Sequence, residues 1–490
     1  MSTNWTGWGL AALCAAAMGA GSTRAQQPAP EPAGLVVNTL PADLQQKVDQ
    51  VARQVLAETG VPSASVAVVR DGQIAYTQAY GTARLGADGS LTGGGAVMAT
   101  PAMRYSIGSI SKQFTATAVL MLEQQGKLSL DDPVSKWLPD LTRANEVTLR
   151  EVLSHTSGYQ DYWPEDYDMP PMLKPTTVDH ILDTWGKKPL DFDPGTKWQY
   201  SNTNFVIAGR IVEKVSGEPL MQFLREHIFT PLGMEQVWDQ DTTKLTAPDA
   251  EGTMRYALGP LRPAPIEGRG WMFAAGELAM PAYDLAQWDI SLIDRSLLQA
   301  KSYDELETPV LLKDGTNTHY GLGVDVNTLQ GHAYVAHSGE VSGFVAENMV
   351  FPKDKVAIAV LTNEDASRAA GDIAREVAPL LLGISTQTAS AAEQQAEQLF
   401  EDFQQGKIDR SLFTPWCNAY FDAQALADYQ SSLAPLGQPS RVQQTGEELR
   451  GGMTFRSFRV TFPNSARVLT ITTYTEPDGK LEQYLVIPTS

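Results

Sequence analysis

The first third of the chain contains one helical pattern and two strand patterns. Apolar side chains recur every three or four positions across residues 43–59, which predicts an amphipathic helix. Ser63–Val69 and Gln73–Tyr80 are rich in β-branched and aromatic residues, and Asp71-Gly72 lies between them. An Asp-Gly pair between two such runs predicts a β-hairpin.

Further along, the pattern predicts a buried helix and more strands. Residues 109–125 are apolar on nearly every side, which is typical of a helix inside a large domain. Residues 130–330 alternate helical patterns with long loops. Strand patterns then return in three runs: Ala333–His337, Phe344–Phe351 and Val356–Asn363. With a helical pattern over residues 366–382, this predicts an α/β (α+β) domain: one antiparallel sheet built from both ends, flanked by helices, with a helical subdomain inserted.

The N-terminus has the pattern of a secretory signal. The apolar run Leu10–Ala20 is followed by small residues and by Thr23-Arg24-Ala25, which predicts a signal peptide over residues 1–25. The run is too short to span a bilayer and no other stretch is long enough, so we expect no membrane span. We expect a secreted or periplasmic protein that begins with a Pro- and Ala-rich leader, residues 26–40.

Two folded domains are predicted after the leader. The larger covers residues 41–385, and small polar residues at 382–390 form a candidate linker. Residues 391–490 are predicted to form a small α+β domain, in which helical patterns precede three strand runs. Turn residues occur at three places in these runs: Gly446–Glu448, Pro463–Ser465 and Pro477–Gly479.

Composition narrows the classes of function. The chain has 37 Lys and Arg against 57 Asp and Glu, a formal net charge of −20, which disfavours a nucleic-acid partner. Two Cys rule out a disulfide framework and a thiolate metal site, and neither His-Glu-x-x-His nor His-x-His occurs. We therefore expect neither a metal nor a cofactor.

The start of the buried helix carries Ser109-Ile110-Ser111-Lys112. The i, i+3 spacing places the Ser109 hydroxyl and the Lys112 amine on one helix face, within hydrogen-bond reach. Burial penalises the charged form of a lysine, so Lys112 is a candidate base for the serine. Alone the signal is weak, because Ser-x-x-Lys arises about once or twice by chance in such a chain. An ordinary helix start is the alternative.

A second pattern, Tyr200-Ser201-Asn202, lies downstream. A cation beside a phenol favours the phenolate, so Tyr200 next to Lys112 is a candidate general base. The amide of Asn202 offers a donor to a substrate carbonyl and an acceptor to the lysine. A tyrosine packed in a loop is the alternative for this pattern taken alone.

The third pattern, His337-Ser338-Gly339-Glu340, ends a strand run. Gly339 leaves room for a close backbone approach. The backbone N–H of Glu340 is a candidate partner of the Ser109 N–H in an oxyanion hole. His337 is a candidate contact for a substrate carboxylate or a group that steers the tyrosine proton. A strand-end histidine with satisfied hydrogen bonds is the alternative.

In this order and spacing, the three patterns resemble the serine β-lactamase and penicillin-binding superfamily. The branch it resembles contains class C β-lactamases, D-alanyl-D-alanine carboxypeptidases and related esterases. Three further segments are similar: Leu153–Gly158, Tyr320–Gly323 and Ile358–Asn363. The resemblance implies that Ser109 is the acylated nucleophile, Lys112 its activating partner and Tyr200 the general acid/base. Asn202 is then a substrate-orienting amide, and His337 is the first residue of the third motif.

One position departs from that family pattern. Class C β-lactamases normally have Lys-Thr-Gly where this chain has His337-Ser338-Gly339. A lysine is a permanent cation for a β-lactam carboxylate, whereas a histidine is only partly charged near neutral pH. Histidine here resembles some of the family's peptidases and esterases. We therefore expect weaker β-lactamase activity.

Residues 161–168 form an acidic and aromatic stretch soon after His155. A substrate-facing rim that prefers neutral or cationic ligands is one interpretation. A solvated surface loop is the interpretation that the sequence favours. We assign His155 a structural role that stabilises its turn.

The sequence thus predicts an exported serine hydrolase that acts through an acyl-enzyme on an ester or amide bond. Its partner is a small-molecule or short-peptide substrate: D-amino-acid peptides, small esters and β-lactams are the candidates. The alternative is a non-catalytic binding or scaffolding protein on the same fold. Against it, all three patterns keep chemically competent side chains.

Overall fold

The computed structural model describes residues 35–164, 168–257, 259–384, 391–463 and 465–488. The predicted signal peptide and most of the leader lie outside these residues, as does most of the predicted linker. The chain divides into two units, the first ending at Ala374 and the second beginning at Arg375. The predicted domain boundaries at residues 385 and 391 flank a segment that is not described, so they stay predictions.

The first unit contains one large sheet and several short strands. Its strands are β1 (Ser63–Arg70), β2 (Gln73–Arg84), β3 (Val97–Met98), β4 (Tyr105–Ser106), β5 (Trp238–Asp239), β6 (Thr253–Met254), β7 (Arg262–Pro263), β8 (Leu278–Met280), β9 (Asp325–Leu329), β10 (His332–Val341), β11 (Phe344–Phe351) and β12 (Val356–Thr362). The large sheet has the order β3-β2-β1-β12-β11-β10-β9 and is antiparallel throughout.

Helices precede, separate and follow the strands of this sheet along the chain. They are α1 (Ala42–Thr59), α2 (Ser111–Gln124), α3 (Leu149–Leu153), α4 (Val178–Ile181), α5 (Asn202–Ser216), α6 (Leu220–Leu224), α7 (Ala282–Asp294), α8 (Ala300–Glu307) and α9 (Ala369–Leu382), the last of which continues past Ala374. A 3₁₀ helix, Gly108–Ile110, leads into α2. In the described part of the chain, no helix combines the length and the apolar character needed to cross a membrane.

At the centre of the sheet, a strand from the start of the first unit pairs with a strand from its end. β1 pairs with β12, with Val66 opposite Val360, and every residue of β12 is buried. Burying a strand on both faces requires apolar side chains at successive positions, which is why β12 reads as a continuous apolar run. The predicted antiparallel sheet built from both ends is thereby confirmed. β10 extends to Val341, beyond its predicted end at His337, because β11 pairs with it that far.

Helix α2 lies in the core of the helical part. It packs against α5 and α6, while α7 packs against β1 and β12 of the sheet. Eleven of the fourteen α2 residues are buried, as its all-round apolar pattern predicts. A helix buried on every side holds its first turn rigidly, and Ser109 lies just before that turn.

A buried polar network ties α2 to α7 and β11. Gln113 donates from Nε2 to Asn348 Oδ1 at 3.0 Å and accepts from Trp288 Nε1 at 2.6 Å. Asn348 in turn donates from Nδ2 to Asp289 Oδ1 at 2.8 Å. The second oxygen of Asp289 is buried and has no hydrogen-bond partner among the described residues. Burial raises the pKa of Asp289 well above its usual range.

The second unit has its own core. Its helices are α10 (Ala391–Gln404), α11 (Pro415–Tyr420) and α12 (Ala423–Leu433), and its sheet contains β13 (Arg441–Arg450), β14 (Met453–Phe462), β15 (Ser465–Thr475) and β16 (Leu481–Pro488). The sheet is antiparallel in the order β13-β14-β15-β16. The predicted turn at Gly446–Glu448 is wrong. Gly446 forms an irregularity inside β13, and the chain turns at Gly451-Gly452, where both φ angles are positive as tight hairpin turns require.

We predict that Asp289→Asn stabilises the first unit in a pH-dependent way. Because burial raises the pKa of the folded-state carboxyl, the stability from this group falls as pH rises from about 4 through the folded value. The asparagine keeps the acceptor for Asn348 and cannot ionise. The variant should therefore melt about 2–4 °C higher than the wild type at pH 8, and the gap should narrow towards pH 4. Calorimetry of both proteins across this range tests this, and an equal gap at every pH contradicts it.

Candidate active site

Ser109 lies where the 3₁₀ helix meets strand β10. A Cβ atom on Gly339 would lie 1.9 Å from the Ile107 carbonyl oxygen and 3.0 Å from the Ser109 nitrogen. A Cβ atom on Gly108, whose φ is +50°, would lie 2.6 Å from the Glu340 nitrogen. Glycine at both positions therefore lets the two backbones touch. This contact places the backbone of Glu340 beside that of Ser109, so the two amides stay the candidates for an oxyanion hole.

Strand β10 offers an open edge beside the serine. β9 pairs with it only as far as Ala336, which lies opposite Asp325. From His337 to Val341, β10 keeps β11 on one side and faces the Ser109 region on the other. A substrate can lie along such an edge in the manner of an added strand.

Lys112 is completely buried beside the serine. Its Nζ donates at 2.8 Å to each of three acceptors: Ser109 Oγ, Asn202 Oδ1 and the Ala275 carbonyl oxygen. Burial lowers its pKa to about 7, although the carboxylates of Asp161 and Glu277 oppose the change. A large fraction of the amine is therefore neutral at physiological pH and able to accept a proton.

The surroundings of Lys112 determine where its lone pair points. Asn202 Nδ2 donates to Asp161 Oδ2 and to the Trp163 carbonyl oxygen, each at 3.3 Å, so Asn202 Oδ1 is left to face the lysine. This oxygen and the Ala275 carbonyl can only accept hydrogen bonds. The two N–H groups of a neutral amine satisfy these two acceptors. The lone pair is then directed at the Ser109 hydroxyl, the remaining neighbour and the one that can donate.

Tyr200 lies beside both groups. Its hydroxyl is close enough to Ser109 for the serine to favour the phenolate, and its ring centroid is 5.0 Å from Lys112 Nζ. Burial nevertheless raises the pKa of Tyr200 well above its usual value. The expectation that Tyr200 is a phenolate is wrong for the resting site, because desolvation of the phenolate outweighs the opposing effect of Ser109. Tyr200 is a protonated donor at rest, and Lys112 is the better base.

His155 holds Tyr200 in place. Its backbone oxygen accepts from Gln199 N at 3.0 Å, and its Nδ1 accepts from Ser201 N at 3.1 Å. Its ring lies 4.3 Å from the Tyr200 ring, centroid to centroid. Burial lowers the pKa of His155 well below its usual value, so the ring is neutral. These contacts agree with the structural role predicted for His155.

His337 lines the cavity but carries no charge at neutral pH. Its Nε2 shares a 2.8 Å hydrogen bond with the Tyr320 hydroxyl, and its Nδ1 lies against the Ser338 carbonyl oxygen. Burial, together with the charge of Lys112, lowers the pKa of His337 to about 4. The partial positive charge expected near neutral pH is therefore absent, and a substrate carboxylate gains no ion pair from this residue.

A cavity of about 550 Å³ opens onto Ser109. Tyr200, Asn202, His337 and Glu340 also line it, so the structure brings the predicted site residues together around the nucleophile. Two further sets of side chains contribute: the carboxylates of Asp161, Asp168, Asp325, Glu340 and Asp365, and the rings of Tyr162, Trp163, Trp198, Tyr200 and Tyr320. Among the described residues that line the cavity, none is a lysine or an arginine.

Sequence reasoning missed several of these residues. The interpretation of residues 161–168 as a solvated loop is wrong for Asp161 and Tyr162: Tyr162 is buried, and Asp161 accepts from the Asn202 backbone N–H at 2.9 Å. Residues 165–167 lie outside the described part of the chain. Ala275 contributes a backbone carbonyl, which no side-chain pattern can indicate. Asp325 was missed because a single acidic residue at the start of a short strand carries no signal.

One group of potential metal ligands occurs elsewhere in the described chain. Single ligand atoms of Glu218, Glu226 and His227 lie within 4.8 Å of one another. None of the three lines the cavity at Ser109. The acyl-transfer chemistry that Ser109, Lys112 and Tyr200 can perform does not depend on this group.

Comparison with known proteins identifies the family. A family model described as Beta-lactamase matches residues 48–381, which is more than half of the chain. The chain belongs to the beta-lactamase family. The resemblance drawn from the three motifs is thereby confirmed, and the matched residues include every predicted site residue.

A protein with a similar sequence is named as a penicillin-binding protein, PbpX of Bacillus subtilis (strain 168). It is 28% identical over 319 residues, which cover 65% of this chain and 75% of that protein. The chain spans 61 to 63% of the length of other curated relatives.

Two solved structures extend the comparison. A D-stereospecific amidohydrolase from Streptomyces sp. has 28% identity and a TM-score of 0.57, over 68% of this chain and 97% of that one. An octameric penicillin-binding protein homologue from Pyrococcus abyssi has a TM-score of 0.63, over 90% of this chain and 99% of that one. Its identity is 21%, so this likeness concerns the fold alone.

We predict that Asp161→Asn weakens the nucleophile and shifts its pH dependence. Without the carboxylate, the Asn202 amide loses one of the two acceptors that fix its orientation, and the pKa of Lys112 falls because a charge that raises it is gone. The rate of fluorophosphonate labelling at Ser109 should drop about tenfold or more. The midpoint of the pH dependence of this labelling rate, expected near pH 7 in the wild type, should move to lower pH. Asp168→Asn is the control, since Asp168 lines the same cavity; an unchanged midpoint in Asp161→Asn contradicts this role.

Proposed function

We propose that this protein is an exported serine hydrolase that cleaves an ester or amide bond through an acyl-enzyme at Ser109. The observation that carries the proposal is the buried amine of Lys112, held by two pure acceptors so that its lone pair faces the Ser109 hydroxyl. A serine becomes a useful nucleophile when a base is aligned on its proton in this way.

Acylation follows from the geometry. Ser109 Oγ attacks the substrate carbonyl carbon while Lys112 Nζ takes the hydroxyl proton. The carbonyl oxygen becomes negative and is stabilised by the backbone N–H groups of Ser109 and Glu340. The Tyr200 hydroxyl, which is protonated at rest, gives its proton to the leaving nitrogen or oxygen. The products of this step are the Ser109 ester, the free leaving group, an ammonium on Lys112 and a phenolate on Tyr200.

Deacylation restores the resting site. The Tyr200 phenolate accepts a proton from a water molecule, whose oxygen attacks the ester carbon. When the ester bond breaks, Lys112 returns its proton to Ser109 Oγ. The ammonium of Lys112, close to the Tyr200 ring, stabilises the phenolate between the two steps. Each proton removed is thus returned within one cycle.

Amides of D-amino acids are the substrate class that the comparisons support best. The similar Streptomyces protein is a D-stereospecific amidohydrolase. The neutral state of His337 disfavours β-lactams, whose carboxylate gains no cation there. Small esters are also expected to react, because an ester is a better acyl donor than an amide and needs less help from Tyr200.

We predict that Ser109→Ala abolishes turnover and leaves the fold intact. The substitution removes the proposed nucleophile, and alanine suits a helical position. The loss of kcat/KM on a p-nitrophenyl ester should be on the order of 10⁴-fold or greater. Ser135→Ala, outside the cavity, is the matched control, and circular dichroism checks the fold. Retained turnover by a pure Ser109→Ala preparation would falsify the acyl-enzyme mechanism.

Export is proposed from the run Leu10–Ala20 and the small residues before Gln26. We predict that expression of the full chain in a Gram-negative host gives a periplasmic protein whose first residue is Gln26. Cell fractionation and mass measurement of the N-terminal peptide test this. A chain lacking residues 1–25 should stay in the cytoplasm. Recovery of the full chain from the cytosol with Met1 or Ser2 at its start contradicts export.

A further inference from the structure

The cavity at Ser109 has two ends along strand β10. The first, here called the His337 end, is formed by Trp198, Tyr320, Asp325 and His337. The second, the Ser342 end, is formed by Asp168, Ser342 and Asp365. Ser109 lies between them, because Gly339 is the residue of β10 in contact with its backbone.

The proposed reaction places the leaving group of a substrate beside Tyr200, whose ring lies 6.3 Å from that of His337, centroid to centroid. The charges of Asp161 and Asp325 both act on the Tyr200 hydroxyl. Asp325 lies at the start of β9, opposite Ala336, the residue before His337. The group that departs with the Tyr200 proton therefore meets Asp325 first among the charged residues of this end.

None of the described residues places a positive charge against the Asp325 carboxylate. Burial raises its pKa to about 6, and no cation or hydrogen bond in the described part of the chain lowers it. His337 is neutral, and the Nζ of the buried Lys112 makes its three hydrogen bonds with Ser109, Asn202 and Ala275. At pH 7 the His337 end therefore carries a largely ionised carboxylate, and a substrate cation would supply the missing partner.

Aromatic faces lie at the same end. The Trp198 and Tyr320 rings are 5.8 Å apart, centroid to centroid. Tyr320 is fixed by its hydrogen bond with His337, whereas Trp198 remains 40% exposed at the cavity. Indole and phenol rings beside a carboxylate form the usual surroundings of a bound ammonium group, which gains from the ring faces as well as from the opposite charge.

We infer that the His337 end binds a cationic leaving group, with Asp325 as the opposite charge and Trp198 and Tyr320 as aromatic faces. The inference rests on the proposed acyl transfer to Ser109. It assigns Asp325 as a specificity-determining residue. It also predicts that the enzyme selects against substrates whose leaving group places a carboxylate beside position 337, where class C β-lactamases carry a lysine.

Three thioesters with one acyl group test the inference. Phenylacetyl esters of thiocholine, 3,3-dimethylbutanethiol and 3-mercaptopropionate present cationic, neutral and anionic leaving groups of similar size. The released thiol is measured with a disulfide dye. For the wild type, kcat/KM should be at least about tenfold higher for the thiocholine ester than for the neutral ester. The anionic ester should be the poorest, and added salt should shrink the differences.

Variants locate the charge. Asp325→Asn keeps the shape of the side chain and should reduce the cationic-to-neutral ratio to within about threefold. Asp325→Glu should keep a clear preference for the cation. Asp168→Asn removes a carboxylate from the Ser342 end and should leave the ratio unchanged. Thermal melting of each variant confirms that it is folded before its kinetics are compared.

The outcomes separate this inference from the proposed function. Equal kcat/KM for the three esters would overturn the cation site alone. A cationic-to-neutral ratio in Asp325→Asn as high as in the wild type would do the same. If Asp168→Asn loses the cationic-to-neutral ratio and Asp325→Asn keeps it, the cation binds at the Ser342 end. This result overturns the assignment to Asp325. Turnover of no ester combined with no fluorophosphonate labelling of Ser109 overturns both.

A second readout does not need turnover. Choline at millimolar concentration should slow fluorophosphonate labelling of Ser109 in the wild type, because it occupies the His337 end. It should have little effect in Asp325→Asn. Neutral 3,3-dimethylbutanol is the matched control, and equal protection by the two compounds contradicts a cation site.

Discussion

The site depends on burying one amine completely and still giving it three hydrogen-bond partners. Lys112 is inserted in an apolar helix, where an ordinary lysine would be costly. The cost is offset by contacts at 2.8 Å from Ser109, Asn202 and Ala275, which come from three distant parts of the sequence. The fold must therefore bring α2, the start of α5 and the loop before β8 to one nitrogen atom. Burial then lowers the pKa of the amine to about 7, so the same constraint that orders the fold also produces the base.

The sequence was most informative where a signal is local. Phe344–Phe351 was bounded correctly because a buried strand carries its own apolar pattern. Ser109 and Lys112 were paired correctly because helical spacing alone places them together. Gly446 shows the limit of such local reading, since a glycine inside a strand and a glycine in a turn look alike until the partner strand is known.

The site was less predictable where a residue acts through a partner that is distant in sequence. Asp161 lies among acidic and aromatic residues, and the composition of that stretch is typical of a solvated loop. Its carboxylate nevertheless fixes the amide of Asn202. For Tyr200, sequence reasoning counted the nearby cation and not the desolvation of the phenolate, which is the larger effect. Both errors have one origin: burial is a property of the assembled fold, and it determines which charges matter.

The exchange of lysine for histidine at position 337 can be understood from the same burial. A lysine there would place a second ammonium near Lys112 and would lower the pKa of the base further by like-charge repulsion. His337 avoids this effect because burial and the charge of Lys112 keep it neutral. Its hydrogen bond with Tyr320 fixes an aromatic wall, and the carboxylate of Asp325 next to it stays uncompensated. One substitution thus reverses the sign of the field at the His337 end and leaves the hydrogen bonds of Lys112 untouched. Selection among leaving groups can change in this way without altering how the serine is activated.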